Sequence, residues 1–120
     1  MFEFELLVLC TGMGTDEATI AEIMGHRALL QRMDIKKHYK LSYGKELNDD
    51  IDAEMKPSAD FKSTCKALLM LPDEYDAYCL YHAMKGLGTD EDCLIEIIFT
   101  RTNEQLKKIQ ATYKNSAHCS

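Results

Sequence analysis

Apolar side chains return along this chain at steps of three and four, the spacing that lines one face of a helix. Ile20, Ile23 and Met24 make one such stripe, and Leu94, Ile97 and Ile98 make its later counterpart. Leu47, Ile51 and Met55 recur at every fourth residue, while Phe61, Cys65, Leu68 and Leu69 trace the broader face of a buried helix. Tyr75, Tyr78, Cys79, His82 and Ala83 repeat that spacing and predict a second buried face. No stretch alternates as a half-buried strand would. The breaks fall at Gly12 and Gly14, Gly44, Pro57, Pro72, and Gly86 and Gly88, where helices are expected to stop. Between them the pattern predicts helices over 2–10, 15–26, 29–42, 45–55 and 59–70, and again over 74–84, 89–100 and 103–114.

The second series repeats the first. Sliding the sequence over itself by 74 residues brings the hexapeptide GMGTDE (Gly12 to Glu17) onto GLGTDE (Gly86 to Glu91). The same shift pairs Glu22 with Glu96, Ile23 with Ile97, Arg27 with Arg101, Gln31 with Gln105, Ile35 with Ile109, and Tyr39-Lys40 with Tyr113-Lys114. A period of this length is one supersecondary unit used again. The expected organisation is an all-α chain with a five-helix unit over 1–73 and three helices of a second over 74–120.

Part of the shared hexapeptide is explained by helix starting. Thr15 and Thr89 are placed as N-caps, and the acids that follow suit the positive end of a helix dipole. The paired glycines need another reason. Glycine adopts positive φ at little cost, so two of them close together let the backbone turn tightly and turn its carbonyls outward. Outward carbonyls suit a hard cation such as calcium, which takes six to eight oxygens and usually wants a carboxylate among them.

These residues resemble a known family. The stretch MKGLGTDEDCLIEIIFTRTNEQLKKIQATYK is similar to an annexin repeat, and the first copy, continuing through GKELNDDIDAE and KALLMLPDEYDA, resembles a first annexin repeat running into a second. The resemblance spans about residues 10–115 and implies five-helix repeats wound as a right-handed superhelix. It also implies calcium-dependent binding to acidic phospholipid through the interhelical loops. In that pattern an acid well downstream of the second glycine completes each loop, and Glu54 stands 40 residues beyond Gly14. The implied first site is therefore the carbonyls of Cys10, Gly12 and Gly14 with the side chain of Glu54. The implied second site has the carbonyls of Met84, Gly86 and Gly88, but the same count runs past Ser120, so weak or no calcium binding is expected there. Thr11 stands where Lys85 stands in the second copy, which removes one positive charge from the first loop.

Charge sharpens the picture. The chain has 120 residues, 14 basic against 20 acidic, for a net −6, and so would repel nucleic acid and anionic lipid unless a cation bridged them. Calcium would be that bridge. Cys10, Cys65, Cys79, Cys93 and Cys119 form no CxxC pair and are odd in number, which fits a reducing, cytoplasmic setting rather than a disulfide or zinc framework. The opening MFEFELLVLC carries Glu3 and Glu5 with no basic start, unlike a secretion signal, and no run is long enough to span a bilayer. Membrane contact is expected to be peripheral.

The remaining candidates read as structural. Asp50, Asp52 and Glu54 imitate the opening of an EF-hand loop, but Met55 stands where that loop needs glycine. Asp49, Asp50 and Asp52 are instead expected on a solvated helix face, with Asp52 a minor accessory candidate for calcium. His26, His38, His82 and His118 sit at no ligand spacing and no nucleophile pairs with them, so no enzyme is expected; His82 should be packed. Arg27 and Arg101 are expected in an ion pair or on helix-end carbonyls rather than on lipid, Tyr39 and Tyr113 in packing, and the methionines as core fillers. With the second series incomplete, Leu94, Ile95, Ile98 and Phe99 should stay partly uncovered and favour self-association. The competing function is a helical protein-interaction module whose loops are purely structural.

Overall fold

The computed structural model describes residues 17–54 and 59–116. The first expected helix and the first glycine loop lie outside them. Among the described residues there are seven α-helices and no strand: α1 (Glu17–Gly25), α2 (Leu29–Tyr43), α3 (Leu47–Glu54), α4 (Ala59–Leu68), α5 (Pro72–Met84), α6 (Glu91–Thr100) and α7 (Asn103–Asn115). Contacts divide the chain between Met70 and Leu71 into two compact units.

In the first unit α1 packs on α4, and α3 lies against both α2 and α4. Their facing stripes fuse into one core of Ile20, Met24, Ile35, Tyr39, Leu47, Ile51, Cys65 and Leu69. Removing Leu47, Ile51 and Leu69 from water contributes about 1.5–3 kcal/mol each before entropy is counted. Tyr39 is fully buried with its ring edge-on to Tyr43, and its hydroxyl donates to Asp50 of α3. Arg32 donates to the carbonyls of Leu68 (2.7 Å) and Arg27, so one α2 side chain holds the end of α4. Helix α2 stops at Gly44, whose φ of 67° lets its N–H turn back to the Lys40 carbonyl at 2.8 Å.

The second unit packs α5 chiefly on α7 and also on α6. Its core is Ala77, Ile97 and Ile109, edged by half-buried Cys79, Leu80, Cys93, Leu106 and Tyr113. Pro72 sits at the first position of α5, where its missing N–H costs nothing, so the helix starts two residues before the expected place. The face that α5 buries keeps Ala83 and Cys79 of the expected one but is rotated away from Tyr75 and His82. Asp76, Ala77 and Ala83 point inward, while Tyr75 is 41% exposed and His82 is exposed rather than packed. Small side chains let α7 approach closely and push the large rings to the rim. There the His82 ring lies 4.2 Å from that of Tyr78 and 5.3 Å from that of Tyr81.

The 74-residue shift has a physical meaning at one more pair. Gln31 accepts from the Ala28 N–H at 2.8 Å at the start of α2, and Gln105 accepts from the Thr102 N–H at 2.9 Å at the start of α7. At α7 the bond is reciprocated, because the Thr102 hydroxyl accepts from the Gln105 N–H at 3.2 Å.

Candidate functional site

The second glycine loop is the one the described residues contain. Helix α5 ends at Met84, and Lys85 leaves it in an extended conformation. Gly86 and Gly88 then adopt φ of 90° and 88°. A Cβ on either would meet nothing within 4 Å, so glycine is needed for its torsion and not for room. The loop closes where the Asp90 N–H donates to the Ala83 carbonyl at 2.8 Å. Asp90, not Thr89, is the N-cap of α6: its Oδ1 accepts from the Cys93 N–H at 3.1 Å. The glycine turn uses up one residue more than the sequence pattern suggested, which moves the cap from threonine to the stronger aspartate. Glu91 and Asp92 follow in the first turn, at the positive end of the dipole.

The tip of this loop faces solvent. Leu87 is fully exposed and Met84 is 48% exposed, so Met84 is not the core filler expected. The Lys85 ammonium lies 5.6 Å over the Tyr81 ring. Among the described residues no backbone N–H outside the helices donates to the carbonyls of Met84, Gly86 or Gly88. Three free carbonyls on a glycine turn are a donor set that suits a hard cation. Among the described residues no group of three or more His, Cys, Asp or Glu stands together as a metal cluster.

Of the first site, Cys10, Gly12 and Gly14 fall outside the described residues, and Glu54 is the final residue of α3. Its acidic neighbours are engaged rather than merely solvated. Asp50 accepts from Tyr39, and Asp52 pairs with Lys62 at 3.2 Å and Lys66 at 2.9 Å. Partial burial works against the Asp52 carboxylate, but the bonds from Lys66 and Lys62 outweigh it and hold the group below its ordinary value.

Arg101, half-buried, is held by its neighbours. Its Nε and Nη2 donate to the two oxygens of Asp76 at 2.8 and 3.0 Å, a fork-to-fork pair, and Nη1 donates to the Thr100 hydroxyl at 2.8 Å. The hydrogen bond it donates to the Asp76 carboxylate raises the guanidinium above its ordinary value. Asp76 was not singled out in the sequence; an acid beside Ala77 on an apolar helix face was the available signal. The pair walls an open cavity of about 580 Å³ whose charges balance, Asp73 and Asp76 against Arg101 and Lys108. Burial raises the thiols of Cys79 and Cys93, which keeps both protonated and makes them poor nucleophiles and poor metal ligands. No helix among the described residues is long and apolar enough to cross a membrane.

Comparison with known proteins agrees with the all-helical fold. The annexin family model matches residues 5–68 and 75–119. Annexin A13 of Canis lupus familiaris is 50% identical over 105 residues, covering 88% of this chain and 33% of that protein. Annexin A11 of Oryctolagus cuniculus is 43% identical over 103 residues, covering 86% of this chain and 20% of that protein. Among solved structures, annexin III superposes with a TM-score of 0.87 at 39% identity, over 94% of this chain and 35% of that one. A calcium-bound annexin (Sm)1 superposes with a TM-score of 0.80 at 34% identity, over 93% and 32%. The chain spans about a third of the length of the annexin A13 proteins it matches.

Proposed function

The chain belongs to the annexin family, and from that premise we propose that it binds acidic phospholipid surfaces through calcium held on its glycine loops. Calcium-dependent phospholipid binding is a property of the family. The observation that carries it to this chain is the loop at 84–88, with two left-handed glycines, three carbonyls free of backbone donors and an exposed apolar tip. The calcium ion supplies a bridge between protein oxygens and lipid phosphate, neutralising the repulsion between two acidic surfaces.

In this reading the carbonyls of Cys10, Gly12 and Gly14 with the Glu54 carboxylate make the stronger site, and those of Met84, Gly86 and Gly88 make a weaker one without a carboxylate. Leu87 and Lys85 would meet the membrane with an apolar tip and a positive charge. The role is binding at a membrane surface, not catalysis, and the setting is the cytoplasmic side, with association when calcium rises.

Vesicle co-sedimentation tests this. Calcium should drive the chain onto phosphatidylserine vesicles and not onto phosphatidylcholine. Glu54→Gln should raise the calcium needed for half-binding by at least about tenfold, the equivalent of about 1.4 kcal/mol. Binding indifferent to calcium, or to that substitution, would favour the interaction-module reading with structural loops.

A further inference from the structure

The cavity beside the Asp76–Arg101 pair has about 580 Å³, within the range of pockets that hold small molecules. Its walls come from the start of α5, the end of α6 and one face of α7. Two of them are apolar: Ile109, 3% exposed, and the ring of Tyr75, 41% exposed. The others are polar, and what they leave unused is mostly hydrogen-bond donors.

The Asp76 carboxylate is satisfied, since both of its oxygens accept from Arg101. Arg101 is not. A guanidinium carries five N–H donors. Nε, one N–H of Nη1 and one of Nη2 are bonded, so each Nη keeps one N–H without an acceptor among the described residues. The Gln105 amide is pinned by its oxygen on the Thr102 N–H, and its nitrogen has no acceptor among the described residues either. Lys108, one turn further along α7, is exposed and has no ion pair among them. With Asp76 neutralised by Arg101, the charges that remain on the walls are Lys108 and Asp73. Asp73 accepts from the Thr112 hydroxyl at 2.6 Å, which draws it one turn beyond Lys108 and away from Arg101. The Arg101 end of the cavity is thus rich in donors. The 74-residue shift matches Arg27 to Arg101 and Gln31 to Gln105 but sets Asp34 at the place of Lys108, so the donor surplus belongs to the second unit.

We propose that this cavity binds a small molecule that joins a carboxylate to an aromatic body, with the carboxylate on Arg101, Gln105 and Lys108 and the ring against Tyr75 and Ile109. A planar guanidinium with N–H groups to spare matches a flat carboxylate. The half-exposed tyrosine ring offers a stacking surface beside it. A single negative charge suits walls whose own charges cancel, whereas a doubly charged phosphate would meet Asp73 and Asp76 at close range.

The test uses the full chain with calcium chelated, so that the glycine loops play no part, and follows amide shifts by NMR as probes are added. Phenylpropionate should shift the Gln105 side-chain amide and the Ile109 backbone saturably. It should bind at least about tenfold more tightly than acetate, which lacks the ring, and about fivefold more tightly than phenylpropanol, which lacks the charge. Lys108→Glu should weaken phenylpropionate about fivefold or more by turning attraction into repulsion. Asp73→Asn keeps an oxygen for Thr112 and removes the opposing charge, so it should tighten binding about threefold. The two variants move affinity in opposite directions, which general loss of structure would not do. No saturable shift, equal affinity for the three probes, tighter binding of inorganic phosphate than of phenylpropionate, or weakening by Asp73→Asn would overturn the proposal.

Discussion

Replacing Arg101 with alanine would leave the Asp76 carboxylate, 7% exposed, without either of its two hydrogen bonds. Stripping one partner from a fully buried ion pair costs about 3–5 kcal/mol. Here the arginine side chain keeps 33% of its surface accessible, so water reaches the edge of the pair and the carboxylate can partly rehydrate. Discounting for that screening gives about 2 kcal/mol for Arg101→Ala. Arg101→Lys keeps the charge but offers a point donor in place of the fork, and should lose about 1 kcal/mol. Urea unfolding at pH 7, followed by far-UV circular dichroism and tyrosine fluorescence, reads both. The midpoint should fall with an unchanged slope, which marks a loss of native stability and not of compactness. A loss under about 0.5 kcal/mol for Arg101→Ala, the usual scatter of surface changes, would refute the structural role. Loss of vesicle binding at unchanged stability would return Arg101 to the lipid.

Two further outcomes follow from backbone and charge. Gly88→Ala forces alanine to φ near 88°, which should cost about 1–2 kcal/mol in a thermal melt, whereas Gly25→Ala at the end of α1 should cost nothing or stabilise slightly; equal effects at the two sites would remove the torsional argument. Asp52 is held below its ordinary value, so its pairs with Lys62 and Lys66 contribute above that value, near pH 3.8, and the contribution is lost as pH falls through the lower folded value. The urea midpoint of the native chain should thus exceed that of Asp52→Asn by the equivalent of about 0.5 kcal/mol from pH 7 to 5, and the gap should close towards pH 2.5. A gap that widens on acidification would contradict the assignment.

The elements that sequence periodicity located well are those with a single apolar stripe. In α1, α3 and α4 only one face can be buried, and Ile20, Met24, Leu47, Ile51 and Cys65 are found there, with Leu69 just past the end of α4. Helix α5 is ambiguous because apolar side chains encircle it. Both the expected face of Tyr75, Tyr78, Cys79, His82 and Ala83 and a neighbouring one through Asp76, Ala77, Leu80 and Ala83 have helical spacing, and they share Ala83. Period alone cannot choose between them; close packing of α7 chose the small residues and carried Asp76 inside with them. The partner of Arg101 was hidden for the same reason, being 25 residues away in sequence. In the loop, the glycines were legible because positive φ has a clear chemical signature. The cap was misplaced by one residue, since the length of backbone that two left-handed turns consume is not written in residue types.

The clasps that Gln31 and Gln105 make at the starts of α2 and α7 join residues three apart in sequence and need no distant segment. Such short-range closures form within about a microsecond, long before slower collapse brings helices together. Helix formation is limited by its first turn, and that is the turn each glutamine fixes. Each unit thus contains a helix that can begin folding while the rest of the chain is still being synthesised, with no help from the other unit.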